Sequence, residues 1–283
     1  MKLSRLFPEE RSEARKRNLS FDLFVSFAAY LMMIPGQALL SFVFSLIASP
    51  LADVLSLFGA AFAILPIYFL GLRIGGLRAS DLYLKDEKSL RHLSLGWIFG
   101  LCMLAVLMGA LLLSGRYVYA GKSFSKAFYL PILFFAFLVQ GSAEELLCRG
   151  LVMSALSVHY GGCIAALGSA LLFALLHAAN PSVTPIGLFN AFLFGLLFAM
   201  VTQRSRSLFA ACGMHAGWNF CLSLLGVQIS GNAPPHSLIL LQSRMDWLSG
   251  GSFGPEGSPW LTAILSIVLF SSLFSKKYKN GTK

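Results

Sequence analysis

Charge is what this sequence has little of. Asp, Glu, Lys and Arg make up 12% of its 283 residues, against roughly 25% in an ordinary soluble domain, and 57% of the residues are hydrophobic. That balance excludes a soluble globular enzyme and points to an integral membrane protein, in which the bilayer does the work of a core. Cysteine is sparse too. Cys102, Cys148, Cys163, Cys212 and Cys221 are odd in number, form no CxxC pair and lie in or beside apolar runs, so they read as small buried hydrophobes rather than a disulfide or metal framework. The chain has no HExxH pair, no GxGD and no GxSG serine within an apolar run, which leaves out the usual zinc, aspartyl and serine protease signatures. No internal repeat or low-complexity tract is evident.

What is present is a series of apolar runs of about 20 residues, the length that crosses ~30 Å of hydrocarbon. They lie at Phe21 to Ala48, Leu51 to Leu72, Leu93 to Ser114, Phe128 to Leu151, Cys163 to Ala179, Pro185 to Thr202, Leu208 to Gly226 and Pro259 to Phe274. The expected fold class is therefore all-α: a polytopic integral membrane protein of about eight helices enclosing an intramembrane polar cavity. Pro35 and Gly36 predict a kink or break in the first run. The chain divides into an N-terminal tail (1–20), the first transmembrane helices (21–126), a core with the polar residues (127–227), a polar loop (228–258) and a last helix with a basic tail (259–283).

The net charge of +10 reads as topology signal and lipid-headgroup contact, not nucleic-acid binding, because the basic residues gather at the ends of apolar runs. Lys2, Arg5, Arg11, Arg15, Lys16 and Arg17 precede the first run, and Arg73, Arg78, Lys85, Lys88 and Arg91 follow the second. Arg204 and Arg206 follow the sixth, and Lys276, Lys277, Lys279 and Lys283 follow the last. With an even number of spans all four groups share one side, so both termini are expected in the cytoplasm; Arg116, Lys122 and Lys126 fall on the other side. The first run exceeds the core of a signal peptide, so the N-terminal tail reads as retained. The longest polar connection, Ser230 to Ser258, is expected outside. Its "GGSFG", Gly250 to Gly254, matches G-x-S-x-G, but a nucleophile elbow needs a strand before the serine and a helix after it, and the match reads as accidental.

Three polar groups interrupt the apolar runs. In "QGSAEELLCRG" a helix sets Glu145 and Arg149 four residues apart, glutamate first, the favourable order for an ion pair, while Glu144 points about 100° away. Glu145 and Arg149 read as a charge network holding helices together. A carboxylate left unpaired in low dielectric holds its proton more tightly, as a general base near neutrality requires, and Glu144 reads as functional. In "LLFALLHAANP", Phe173 and His177 are again four apart, ahead of a helix stop at Asn180 and Pro181; alone, such a histidine is more often a satisfied core side chain. In "FAACGMHAGWNFCL", His215 and Asn219 share one face among Ala210, Ala211, Gly213, Ala216 and Gly217, which permit close helix approach; alone they read as an interhelical hydrogen-bond pair. Together, on three separate helices, these groups supply a base, a water-orienting group and donors for an oxyanion. The same set could hold Zn2+ through Glu144, His177 and His215. Gly195 and Ala199 offer a small-residue seam for the sixth span. Glu144 and His177 reach the same depth only if the fourth helix continues past Arg149, to about Val158, with no loop within Gly150 to Ser157.

"EELLCR", "FALLH" and "HAGWN" resemble, in order, the EExxxR, FxxxH and HxxxN motifs of the CAAX-protease and bacteriocin-processing family of intramembrane endopeptidases, over Phe128 to Leu225. The resemblance implies a multi-helix fold with a conical cavity and hydrolysis of membrane-associated proteins or peptides by a Glu144-activated water. It implies His177 as the assisting group, His215 and Asn219 as oxyanion stabilisers or part of a metal site, Glu145 and Arg149 as supports, and Phe173 as wall. Family accounts differ on zinc, and a metal-free glutamate mechanism needs the same residues. Ala199 stands where the family's seam usually has a second glycine. The expected location is a bacterial inner membrane, with lipid and a membrane-associated substrate as partners. Two rival readings are a non-catalytic scaffold that grips lipid or a partner, and a proton-linked transporter, which needs polar groups through the full depth of several spans.

Overall fold

The computed structural model describes residues 18–46, 51–124 and 127–274. The basic residues Lys2, Arg5, Arg11, Arg15, Lys16, Arg17, Lys126, Lys276, Lys277, Lys279 and Lys283, and the end of the first expected run at Ala48, lie outside the described residues. The helices are α1 (Leu19–Leu46), α2 (Ala52–Ile74), α3 (Ser89–Leu113), α4 (Ala127–Leu176), α5 (Pro185–Ser205), α6 (Leu208–Leu224) and α7 (Pro259–Phe274). The chain is a helical membrane protein, but the expected count of eight spans is not reproduced by length. Among the described residues five helices, α1 to α5, are long and apolar enough to cross a bilayer. The fourth expected run and the fifth as far as Leu176 fall within the single element α4. The seventh, α6, can be short because most of its residues are buried by other helices.

α4 answers the depth question. Its first arm, 127–160, is helical through Gly150 to Ser157, with a π-helical segment at Leu146–Met153. At about 1.5 Å per residue it is longer than ~30 Å of hydrocarbon. The arm ends at Gly161, whose φ of 80° and ψ of 166° lie in a region that glycine enters without steric cost. The second arm, 162–176, starts there. The first run is not broken at Pro35. α1 is helical through it, and Gly36 lies against Gly59 of α2, where a side-chain methyl at Gly36 would come within 2.6 Å of the Gly59 carbonyl oxygen. Large apolar side chains along α1, among them Phe24, Phe27, Leu31 and Phe42, face outward, as a lipid-facing helix requires.

Contacts sort the connections into two ends. At one end the Leu208 amide bonds to the Tyr83 carbonyl at 3.0 Å. There the Asp86 carboxylate accepts from the Ser207 hydroxyl and from His92 Nδ1, both at 2.6 Å. Arg204 Nη2 donates to the Ser272 carbonyl at 2.8 Å, and Gln203 donates to that of Gly162 at 3.1 Å. Burial alone would push the Asp86 carboxyl up, but the Ser207 and His92 hydrogen bonds outweigh it and hold Asp86 below the usual carboxylate range. Arg73, Arg78, Lys85, Lys88, Arg91, Arg204 and Arg206 all belong to the segments meeting here, so this is the basic end.

At the opposite end the polar connection is more structured than a loop. β1 (Tyr117–Lys122) pairs antiparallel with β2 (Ile239–Ser243), Tyr117 opposite Ser243, and Arg116 meets Asp246 at 2.6 Å. The buried Glu256 pins this segment to the bundle. Its Oε1 accepts from Trp218 Nε1 at 2.9 Å, and its Oε2 accepts from the Ser230 amide at 2.5 Å and hydroxyl at 2.9 Å. Asn190 Nδ2 donates to the carbonyls of Glu256 and Ser258 at 2.8 and 3.0 Å. Ser252 is exposed on a short 3-10 turn, Gly251–Phe253, which no helix directly follows, so no nucleophile elbow forms.

α3 and α6 pack with backbones nearly touching. A methyl group at Gly213 would lie 2.0 Å from the Leu93 carbonyl oxygen, and one at Gly96 2.0 Å from that of Ala210. Small-residue seams of this kind let dispersion and packing hold helices together without a hydrophobic drive. Gly195 plays the same part between α5 and Ala170 of α4. Gly213→Ala should therefore cost about 1–3 kcal/mol by overpacking, read as a lower midpoint of thermal unfolding in detergent. Gly109→Ala, where nothing lies within 4 Å of the added carbon, should match or exceed the parent. Equal midpoints for the two variants would show that the seam is not tight.

Candidate active site

The first arm of α4 carries Gln140, Glu144, Glu145 and Arg149 into the bundle. One helical turn separates Gln140 from Glu144 and Glu145 from Arg149, so the two pairs run along adjacent faces. Glu145 and Arg149 have no exposed surface. Arg149 Nη1 lies 3.1 Å from both Glu145 oxygens, and its Nη2 donates to the Gly195 carbonyl at 3.0 Å. The guanidinium carbon sits 4.6 Å from the Phe173 ring centre and 5.1 Å from that of Phe198, cation–π contacts with two rings that compensate a charge removed from water. Arg149 Nε has no hydrogen-bond acceptor among the described residues.

Glu145 serves a second partner. Its Oε1 is 2.9 Å from His215 Nδ1. An ionised carboxylate can only accept, so Nδ1 carries the proton and Nε2 presents a lone pair. That lone pair faces Glu144, with Nε2 3.9 Å from Oε2. The imidazole stacks on Phe198, ring centres 5.3 Å apart and planes inclined by 12°, and meets Phe173 edge-on at 5.7 Å. These two ring contacts constrain the plane in which His215 can act.

Glu144 does not stand unpaired, as the sequence reading expected. Gln140 donates its side-chain amide to Glu144 Oε1, and Gln140 Oε1 in turn accepts from Asn219 Nδ2 at 3.2 Å. Gln140 thus couples the motif on α4 to the motif on α6 and leaves Glu144 Oε2 turned to His215. Sequence reasoning missed it, although its i,i+4 spacing to Glu144 was there to read. His177 stands just past the end of α4, its Nδ1 2.8 Å from the Phe173 carbonyl. A carbonyl only accepts, so again Nδ1 is protonated and Nε2 is left available. Glu144 and His177 thus belong to two arms of one interrupted helix rather than to two separate helices.

Glu144, Gln140, Phe173, His177, His215 and Asn219 all line one cavity of about 700 Å³. Phe137, Phe194 and Phe198 supply apolar wall, and Trp218, Ser230 and Glu256 line its side toward the polar connection. Glu145 and Arg149 are not in the lining; they reach the cavity through His215, Phe173 and Phe198. The two histidines, each with Nδ1 committed to an acceptor, have the orientation metal-binding imidazoles adopt. Even so, among the described residues no group of three or more His, Cys, Asp or Glu side chains lies close enough to hold a metal ion. The donor set therefore does not fit zinc as placed, and no step below is routed through it.

No curated protein matches the chain. A family model described as type II CAAX prenyl endopeptidase Rce1-like matches residues 126–221. The matched segment carries Gln140, Glu144, Glu145, Arg149, Phe173, His177, His215 and Asn219, and over it the chain is similar to the Rce1-like family of CAAX endopeptidases.

Proposed function

We propose that the chain is an intramembrane endopeptidase that hydrolyses peptide bonds in membrane-associated proteins or peptides, with Glu144 as general base. The observation that carries this reading is the facing pair at the inner end of the cavity: Glu144 Oε2 and His215 Nε2, 3.9 Å apart, each with its other polar atom already committed. A water between them can give a proton to Glu144 while His215 orients it, as general base catalysis requires. The water oxygen bonds to the substrate carbonyl carbon, and charge moves onto the carbonyl oxygen. Asn219, held by Gln140, has a further N–H to direct at that oxygen, a preorganised donor of the kind that lowers such barriers most. Glu144 then returns its proton to the amide nitrogen as the C–N bond breaks. His177 lines the wall beside this path, with Nε2 available to a substrate N–H.

The similarity of the matched segment to a CAAX-type endopeptidase family supports hydrolysis at the level of the family. A transporter would need polar lining continued to the basic end; the described lining holds no residue from the 75–91 connection or from 203–208. Membrane lipid surrounds the bundle in this reading, and a bacterial inner membrane with cytoplasmic termini is the proposed setting.

Glu144→Ala in membranes should lower the appearance of fragments from membrane-anchored peptides by about 10²- to 10⁴-fold. Cleavage by Glu144→Ala at the wild-type rate would end the general-base assignment. The same assay with a strong chelator tests zinc: an unchanged rate is expected, and a loss restored by added Zn2+ would require a metal in the mechanism. Arg149→Ala leaves Glu145 buried without its countercharge and should cost about 3–5 kcal/mol of stability, measured by thermal unfolding. Arg149→Lys should also destabilise, because a single ammonium cannot reach both Glu145 and the Gly195 carbonyl as the planar fork does.

A further inference from the structure

The cavity has a direction. Its described lining runs from Glu144 and His215 to Asn180, Ser230, Asn232 and Pro235, at the end where β1 and β2 pair. The basic residues Arg73, Arg78, Lys85, Lys88, Arg91, Arg204 and Arg206 belong to the opposite end, tied together by the Asp86–Ser207 and Arg204–Ser272 contacts. α1 begins and α7 ends at that same basic end, next in sequence to the two basic tails. The described loop-end segments carry fewer cations, and one of them, Arg116, is neutralised by Asp246. An excess of Lys and Arg in short connections marks the cytoplasmic face. The end that the cavity lining reaches is the opposite one.

A second observation concerns sign. Lys and Arg outnumber Asp and Glu 22 to 12 in the chain, yet the described lining includes Asp53, Glu144 and Glu256 and no Lys or Arg. A free C-terminal carboxylate drawn into this space would meet like charge at reduced dielectric with no cation to pair it. An uncharged or cationic segment meets no such penalty.

We propose that the cavity receives a membrane-associated peptide segment from the extracytoplasmic side, uncharged or cationic at the entrance, and that the bond cut is internal rather than close to a free carboxyl terminus. The cut rests on the endopeptidase reading; the direction of opening and the charge preference do not.

The test has two arms, neither of which needs turnover. Full-length Asn232→Cys and Glu87→Cys chains, both substituted at exposed positions, are treated with a membrane-impermeant maleimide in intact bacterial spheroplasts and in inverted membrane vesicles. The parent chain, with its five native cysteines, sets the background. Asn232→Cys should label in spheroplasts and Glu87→Cys only in inverted vesicles. The reverse pattern, equal labelling from both sides, or no labelling of Asn232→Cys would overturn the outward opening. In the second arm, Glu144→Gln protein in phosphatidylcholine nanodiscs is titrated with acylated fluorescent peptides that differ only in a Lys or Glu and in an amide or carboxylate terminus. The Lys amide should bind about tenfold more tightly than the Glu acid, ~1.4 kcal/mol, and Asp53→Asn should shrink the gap. Equal binding, or none, would overturn the charge preference. Fragment release by wild type tests the endopeptidase reading separately, so the two failures are distinguishable.

Discussion

The buried ion pair between Arg149 and Glu145 is the constraint on which the candidate site depends. Desolvating two charges costs several kcal/mol per ion, and their attraction offsets this only when geometry and further hydrogen bonds satisfy the remaining polar atoms. Here Arg149 is engaged by Glu145, by the Gly195 carbonyl and by two phenyl rings. Its countercharge, Glu145, then fixes His215 through Nδ1. One pair thereby joins α4, α5 and α6 and sets the face that His215 turns to Glu144. The arrangement separates two adjacent glutamates into different tasks, one sealed behind the wall and one in the cavity.

Close helix packing makes that chain of contacts possible. Charge-assisted bonds between helices require backbones near enough for short polar side chains to meet, and the glycines at 96, 195 and 213 allow it. The break at Gly161 has a comparable consequence. By ending one arm of α4 and starting the next, it returns the chain so that Phe173 and His177 come back beside the Glu144 arm. The π-helical turns that follow Glu145 lie where such distortions often mark functional sites. Outside the matched segment, Glu256 draws the polar connection down onto Trp218 and makes it a cavity wall.

Much of this was legible in advance, for identifiable reasons. The Glu145–Arg149 pair follows from i,i+4 geometry and from the cost of leaving either charge alone in hydrocarbon. The continuous helix through Gly150 to Ser157 follows from the need to bring Glu144 and His177 to one depth. Other features were not legible. Proline at 35 suggested a kink or break; α1 is not broken there, and Gly36 packs against Gly59. Hydropathy counted runs, and could not tell a long crossing from the short, enclosed α6. Gln140 is neutral and exchangeable on any apolar helix; only the approach of α6 gives it Glu144 and Asn219 as simultaneous partners. Glu256 sits in a Gly-rich polar stretch far from the motifs, and its link to Trp218 spans 38 residues.

The sequence by itself determined that the chain lives in a membrane, that its few intramembrane charges cluster in one block, and that Glu145 answers Arg149. These are local properties, set by composition and by the period of a helix. The tertiary structure decided which glutamate meets which histidine, which nitrogen of each imidazole is left available, and which end the cavity lining reaches. The first two depend on contacts between segments distant in sequence, on the close approach of helices along their small residues, and on a single glycine that turns one helix back on itself.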